Sequence, residues 1–275
     1  MPGITDTART ISFSQSALGT YLVCPQQLGF ELAGTPVGIT SSDATELGTA
    51  LHTAIECTMD PQRLPSEHGS AYDYAREWLV TQAETGQFLW KKSKTLPTLL
   101  NHFDACWSAF CTEVFPKLGA PLSIERTFDV PLVTAPDGAL IRLKGTWDYE
   151  DTNLGLLDWK TAGREWDRGK HRGRIQTAAY TYAWAMFDRP DVWNSDPVDF
   201  TYVVHIKGAR PSSVQMLTDS AGPPEWRWLQ HLALRVYDNM GTDVWALNDT
   251  TPLCSELWCD YWSHCKGAVL AGEET

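Results

Sequence analysis

The sequence has no run of about 18 apolar residues, the length a helix needs to cross a bilayer, so no membrane span is expected. No apolar stretch follows a basic start, so no secretory signal peptide is read, and a reducing, cytoplasmic setting is expected. In that setting the seven cysteines read as thiols or metal ligands rather than as disulfides. There is no internal repeat and no low-complexity tract, which sets aside solenoids and disordered linkers. No G-x-x-x-x-G-K-[S/T] pattern occurs, which excludes a P-loop motor. Positive charge is scarce: 22 Lys and Arg face 34 Asp and Glu, for a formal net charge of -12. As a bulk property this argues mildly against a nucleic-acid partner, because phosphates favour a basic surface.

What is present is core material. With 275 residues, 43% of them hydrophobic, the chain fits one large domain or a core with a helical elaboration. The 13 tryptophans read first as core and interface mass, with a few left as candidates to stack on bases. Charge distribution matters more than its sum. Arg164, Arg168, Lys170, His171, Arg172 and Arg174 crowd one segment, and Lys91, Lys92 and Lys94 form a smaller group. Taken alone, either is explained equally well as a solvated face.

Periodicity places the elements. Residues 1–13 read as a mobile start. Ser14 caps a short helix through about Leu22, ending near Cys24-Pro25. A Gly/Thr/Pro-rich loop follows over Gly34 to Ser42. Asp43-x-x-Glu46 resembles a capping box opening a helix with Leu47, Leu51, Ile55 and Met59 on one stripe and His52 beside it. Helices are predicted over 71–85 and 98–115, with Cys57, Cys106 and Cys111 as ordinary buried thiols. Strands are predicted over 122–134, 139–149 and 154–160, then a helix over 174–187, a strand over 198–206 and a long helix over 224–240. A Cys-rich tail spans 250–267. This order describes an α+β core with a helical extension.

Asp148 and Asp158 lie on consecutive strands, symmetric about residue 153. If these strands form a hairpin, the two stand opposite one another, with Cβ atoms roughly 5 Å apart. Lys160 is two residues beyond Asp158 and so points to the same face. Two adjacent carboxylates repel when ionised unless a divalent cation neutralises them, and hard oxygen ligands suit Mg²⁺ or Mn²⁺. Such an ion polarises a phosphodiester and activates water. A surface ion pair across a hairpin would give the same three residues.

The neighbours decide. Gly48-x-x-x-His52 precedes Gly145-x-x-Asp148, then Asp158-Trp159-Lys160, then Gln176-x-x-x-Tyr180. This ordered set resembles the RecB-like branch of the PD-(D/E)XK nuclease superfamily, which includes the nuclease domains of recombination helicases and CRISPR-adaptation exonucleases. The resemblance implies that His52, Asp148 and Asp158 ligate the divalent metal together with the Trp159 carbonyl. It makes Lys160 the catalytic lysine, and Gln176 and Tyr180 residues that position the DNA backbone and support the site. Glu125 stands where related nucleases often carry an acid and is a weaker candidate. The basic segment then emerges beside the metal site, where Arg164, Arg168, Lys170, Arg172 and Arg174 would guide phosphates.

Cys254-x4-Cys259-x5-Cys265 closes the chain, and Cys24-Pro25 lies far upstream. Four thiolates hold either a zinc ion or a 4Fe-4S cluster, and spacing does not choose between them. Many RecB-like nucleases hold a cluster by one Cys before the nuclease core, in a Cys-Pro pair, and three after it. The resemblance therefore implies a 4Fe-4S staple on Cys24, Cys254, Cys259 and Cys265, joining the first helix to the last. The x4 gap departs from the commoner x2.

The expected fold is a restriction-endonuclease-like α/β core with a helical insertion over 57–118, a catalytic core over 122–206 and the cysteine tail. The expected function is Mg²⁺- or Mn²⁺-dependent cleavage of DNA, as an exonuclease on ends or single strands, with a recombination or CRISPR-type protein as a conceivable partner. The alternatives are a cluster-bearing DNA-binding or processing subunit with little cleavage of its own, and a zinc-stapled structural protein.

Overall fold

Alternation of apolar residues sets the sheet, and helices cover both of its faces. The structure, a computed structural model, describes residues 9–38, 41–188, 193, 196–207 and 213–272. Six strands form one mixed sheet: β1 (Thr10–Ser14), β2 (Pro121–Thr134), β3 (Leu140–Asp151), β4 (Gly155–Ala162), β5 (Val198–Ile206) and β6 (Ser213–Ala221). The helices are α1 (Gln15–Val23), α2 (Pro25–Ala33), α3 (Asp43–Met59), α4 (Ala71–Glu84), α5 (Leu96–Ala109), α6 (Ile175–Asp188), α7 (Pro223–Thr242) and α8 (Lys266–Ala271). No described helix is long and apolar enough to cross a membrane.

On β5, Phe200, Tyr202 and Val204 enter the core shared with α1, α6 and α7, while Val203 enters the opposite core with Leu51 and Ile55 of α3. That is the period of two expected of a strand buried on both faces. Beyond α3, helices α4 and α5 add a third cluster, in which Leu47, Ala50 and Ala54 meet Ala75, Leu79, Leu99 and Phe103.

Several expectations need correction. Residues 1–8 lie outside the described residues, but Thr10–Ser14 is a strand, parallel to β3, rather than part of a mobile start. Phe13 is buried, which supplies the reason to pair. Ser14 caps α1 as expected, its hydroxyl accepting from the Ala17 N–H at 3.1 Å. Pro25 ends that helix but also opens α2 as its first residue, where its missing N–H costs nothing. The cap of α3 is Ser42, not Asp43. Asp43 is fully buried and accepts the backbone N–H groups of Lys91, Lys92 and Ser93. Glu46 accepts from Ser41 instead of closing a box with Asp43. Helix α5 gives way to a π-helical turn at Phe110–Val114, which leaves Cys111 exposed while Cys57 and Cys106 are buried. Strand β6 was not anticipated. Its burial is only partial along most of its length, so it lacks the apolar alternation that marks the others.

The central strand carries the feature that builds the site. One edge of β3 pairs with β2 along its length. The other edge is shared: β1 pairs with Leu140–Lys144, and β4 with Tyr149–Asp151. Residues 145–148 lie in the gap between them. The β3–β4 register (Tyr149 opposite Leu157) points Asp148 toward Asp158, as the symmetry about residue 153 requires. The β3–β4 ladder nevertheless stops at Tyr149 and Leu157, while β4 continues to Ala162 paired in parallel with β5 along its other edge.

Candidate active site

Asp148 stands in the opening of this fork. Its Oδ2 accepts the Trp159 N–H at 2.8 Å, so the carboxylate replaces the missing ladder bond between β3 and β4. On the other side, the β2–β3 register sets Glu125 level with Asp148, since Ile124 pairs with Tyr149 and Arg126 with Trp147. Glu125 has φ +46°, a left-handed conformation that costs a non-glycine residue stability and concentrates at functional sites. Its consequence is visible in the packing. Phe128 and Val130 enter one core and Ile124 the other, although all are even-numbered; Trp147 and Tyr149 separate in the same way. Both strands thus change face at Glu125 and Asp148, which turns the two carboxylates together. Gly145 has a local cause as well: a Cβ there would sit 2.7 Å from Cζ of Phe128, whose ring crosses it.

Helix α3 supplies the third group. His52 Nε2 donates to the Trp159 carbonyl at 2.8 Å, which fixes the tautomer and turns Nδ1 toward Asp148 Oδ2 at 3.6 Å. One ligand atom each from His52, Glu125 and Asp148 lies within 4.8 Å of the others. His52 and Glu125 border an open cavity of about 480 Å³, lined also by Thr45, Thr49 and Glu56 of α3 and by Trp159, Lys160 and Thr161 of β4, with Asp148 buried behind them. The donor set of one imidazole, two carboxylates and an adjacent backbone carbonyl fits a hard divalent cation.

Asp158 and Lys160 form the adjoining part. Asp158 Oδ1 accepts from Gln176 Nε2 at 2.6 Å, and Lys160 Nζ lies 2.5 Å from Oδ2. Asp158 is buried, and its carboxylate is engaged by these two groups instead of joining His52, Glu125 and Asp148. Gln176 and Tyr180 are also buried, and neither lines the cavity. Tyr180 packs edge-on against Phe128 and Phe200. Their placement favours support of Asp158 over direct contact with a DNA backbone.

The acids carry more negative charge than the site can neutralise alone. Burial, then repulsion from Asp148 and Glu56, pushes the Glu125 carboxyl up to about 8. Burial and Asp148 likewise raise Asp158, against the opposing pull of Lys160. Both groups hold their protons more tightly folded than unfolded. Between about pH 4.5 and 8 the unfolded carboxyls ionise first, so metal-free stability falls as pH rises. The melting temperature in EDTA is expected to drop across that window, and Glu125→Gln to flatten the drop. A Glu125→Gln profile parallel to that of the wild type would contradict this assignment.

The basic segment leaves the site just past Thr161. Arg164, Arg168, Lys170 and Arg172 are exposed, whereas Arg174 is half-buried against the rings of Trp166 and Tyr202. Trp166 is itself held by Gln215 of β6 through its backbone N–H at 2.7 Å. The four thiols Cys24, Cys254, Cys259 and Cys265 gather at the junction of α1 and α2 with the tail, close enough to influence one another's ionisation. Two groups at the site escaped the sequence reading. Glu56 lines the cavity and pairs with Arg63; its signal was the four-residue step from His52 along one helix face. His205 is fully buried, and its Nδ1 donates to the Lys160 carbonyl at 3.3 Å. Burial holds it neutral, lowering its pKa to about 4. Nothing in an apolar strand singles out such a histidine.

A mixed sheet whose central strand is forked, with carboxylates, an imidazole and an ammonium meeting at the fork, is the architecture of restriction-endonuclease-like nucleases. Residues 12–266 match the family description of the PD-(D/E)XK nuclease superfamily, and the chain belongs to that superfamily. A crystal structure of a Eubacterium rectale protein, provisionally named an exonuclease, superposes with a TM-score of 0.54. The alignment covers 88% of this chain and 86% of that one at 11% identity, so the likeness speaks for the fold. The crystal structure of SSO0001 aligns over 90% of this chain and 95% of that one, at 10% identity and a TM-score of 0.34. No curated protein matches the sequence.

Proposed function

We propose that this nuclease-superfamily chain is a Mg²⁺- or Mn²⁺-dependent deoxyribonuclease of the RecB-like branch, acting as an exonuclease on DNA ends or single strands. The observation that carries the reading is the convergence of His52, Glu125 and Asp148 on one point, with His52, Glu125 and Lys160 lining one cavity. His52, Glu125, Asp148 and the Trp159 carbonyl are the residues that would hold the cation, with Asp158, bonded to Gln176 and paired with Lys160, beside them. Bound there, a divalent cation supplies Lewis-acid polarisation of a phosphodiester oxygen and lowers the pKa of water.

The chain's own residues do the rest. Lys160, partly exposed to the cavity, places a positive charge where the scissile phosphate gains negative charge. Gln176 and the His205–Lys160 bond hold Asp158 and the β4 backbone in place. Arg164, Arg168, Lys170, Arg172 and Arg174 attract the phosphates to an otherwise acidic protein. We take residues 1–275 as one nuclease domain, with 57–118 as a helical elaboration, 122–206 as the catalytic core and 250–267 as the tail.

The cysteine site belongs to the same reading, as a 4Fe-4S staple. What supports it is the Cys24-Pro25 pair before the nuclease core and the three cysteines after it, gathered at the junction of α1 and α2 with the tail. Protein purified anaerobically is expected to be brown and to carry iron and sulfide; Cys259→Ser is expected to lose the colour and to melt at lower temperature. Colourless protein holding stoichiometric zinc would overturn the staple and leave the nuclease site untouched. Polarity is read by digesting DNA labelled at one end. Stepwise loss from an end supports the exonuclease reading, and internal cuts in closed circles count against it.

A further inference from the structure

The loop over residues 89–94 is tied to the mouth of the cavity. Asp43, whose three backbone N–H bonds hold Lys91, Lys92 and Ser93, directly precedes the cavity-lining Ala44 and Thr45. Leu89 adds backbone bonds to Ser41 and Asp43. The same loop reaches the cysteine tail: Lys91 Nζ lies 5.6 Å and Lys92 Nζ 4.7 Å from the ring centre of Trp258. Trp258 immediately precedes Cys259 and is 39% exposed. The tail offers Glu256 and Asp260 on either side of Trp258, and its lysine, Lys266, lies over Trp262 and pairs with Asp249, so the cations beside Trp258 are those of the loop.

We propose that single-stranded DNA leaves the cavity along this strip, with phosphates against Lys91 and Lys92 and a base stacked on Trp258. This deepens the nuclease reading above and rests on it. Cations beside an exposed indole next to a catalytic cavity match the groove-and-platform chemistry by which single strands are held without sequence preference. The cation–π contacts of the free protein do not compete with that use, because a stacked base outweighs an exposed cation–π pair. A stacking ring is wasted on a duplex, whose bases are already paired, so the strip discriminates between strand states. It also gives the cysteine site a second consequence: holding Cys259 in place holds Trp258 in the path.

The test is equilibrium binding of the full chain, with its cysteine site as isolated, to fluorescein-labelled oligothymidylate in EDTA, where nothing is cut. A duplex of the same length is the comparison. Trp258→Ala is expected to weaken single-strand binding about tenfold or more, and Trp258→Phe to retain most of it. Duplex binding should change less. Lys91→Ala with Lys92→Ala should lower the slope of log affinity against log salt by about 1.4. Arg235→Ala, an exposed cation on α7 across the sheet, should change neither. Wild-type binding that survives the Trp258 and lysine substitutions unchanged overturns the strip and leaves the nuclease reading standing. Equal weakening by Arg235→Ala also overturns it, showing only general charge. If the wild type neither binds nor, with metal restored, cuts DNA, the nuclease reading falls and the strip with it.

Discussion

Lys160→Ala is expected to slow DNA cleavage by about 10²- to 10³-fold, the usual cost of removing one preorganised positive or hydrogen-bonding group from a reaction centre. Divalent-cation affinity should stay close to that of the wild type, because Lys160 lies outside the cluster of His52, Glu125 and Asp148. The substitution takes the ion-pair partner from the buried Asp158, whose carboxyl is already raised. Removing one member of a buried pair costs about 3–5 kcal/mol if the other stays charged, and less if it keeps a proton. Asp158 has that second course open, so the variant should fold and melt only somewhat earlier at pH 7. Single-turnover rates measured alongside circular-dichroism melts separate the two effects. A folded Lys160→Ala that cuts as fast as the wild type would remove the lysine from the chemistry.

Asp148→Ala is expected to abolish both cleavage and metal binding. The carboxylate is the hub of the fork: level with Glu125, 3.6 Å from His52 Nδ1 and accepting the Trp159 N–H. Its loss leaves that N–H buried without an acceptor, at a cost of about 1–3 kcal/mol. It also removes a like charge beside Glu125 and Asp158, which offsets part of the cost. The net change in metal-free stability is therefore small beside the loss of function. Thermal shift is the direct reading. A ligand that binds only the folded state raises the melting temperature with its concentration. Mn²⁺ should stabilise the wild type and leave Asp148→Ala where it was. Equal stabilisation of both proteins would place the ion elsewhere.

Much of the fold was legible because local rules and tertiary needs agree along most of the chain. The strands carrying Asp148 and Asp158, the helix carrying Gln176 and Tyr180, and α3 with His52 all show apolar periodicity that burial explains. The symmetry of Asp148 and Asp158 about residue 153 gave the hairpin register, but not the fork. A parallel partner for β4 lies some forty residues downstream, and no local pattern announces it. Asp43 shows a second kind of failure. Its position before an apolar run looks like a cap, yet its carboxylate serves a loop nearly fifty residues away, while Ser42 does the capping. Glu125 was reached only through the resemblance, because its place among the acids depends on a left-handed backbone that sequence does not display in a non-glycine residue. The ordered motifs led to the superfamily because chemistry at a metal site restricts residue type as well as spacing. The exposed strip from Lys91 to Trp258 was invisible because its parts are far apart in sequence.

The most direct test of the account is incubation of the wild-type protein with end-labelled single- and double-stranded DNA in Mg²⁺ or Mn²⁺, beside the same reactions in EDTA. The account predicts cleavage that requires the cation and stops on chelation. Intact DNA in every lane, from folded protein whose cysteine site is loaded, would contradict it and favour a subunit that binds DNA without cutting it.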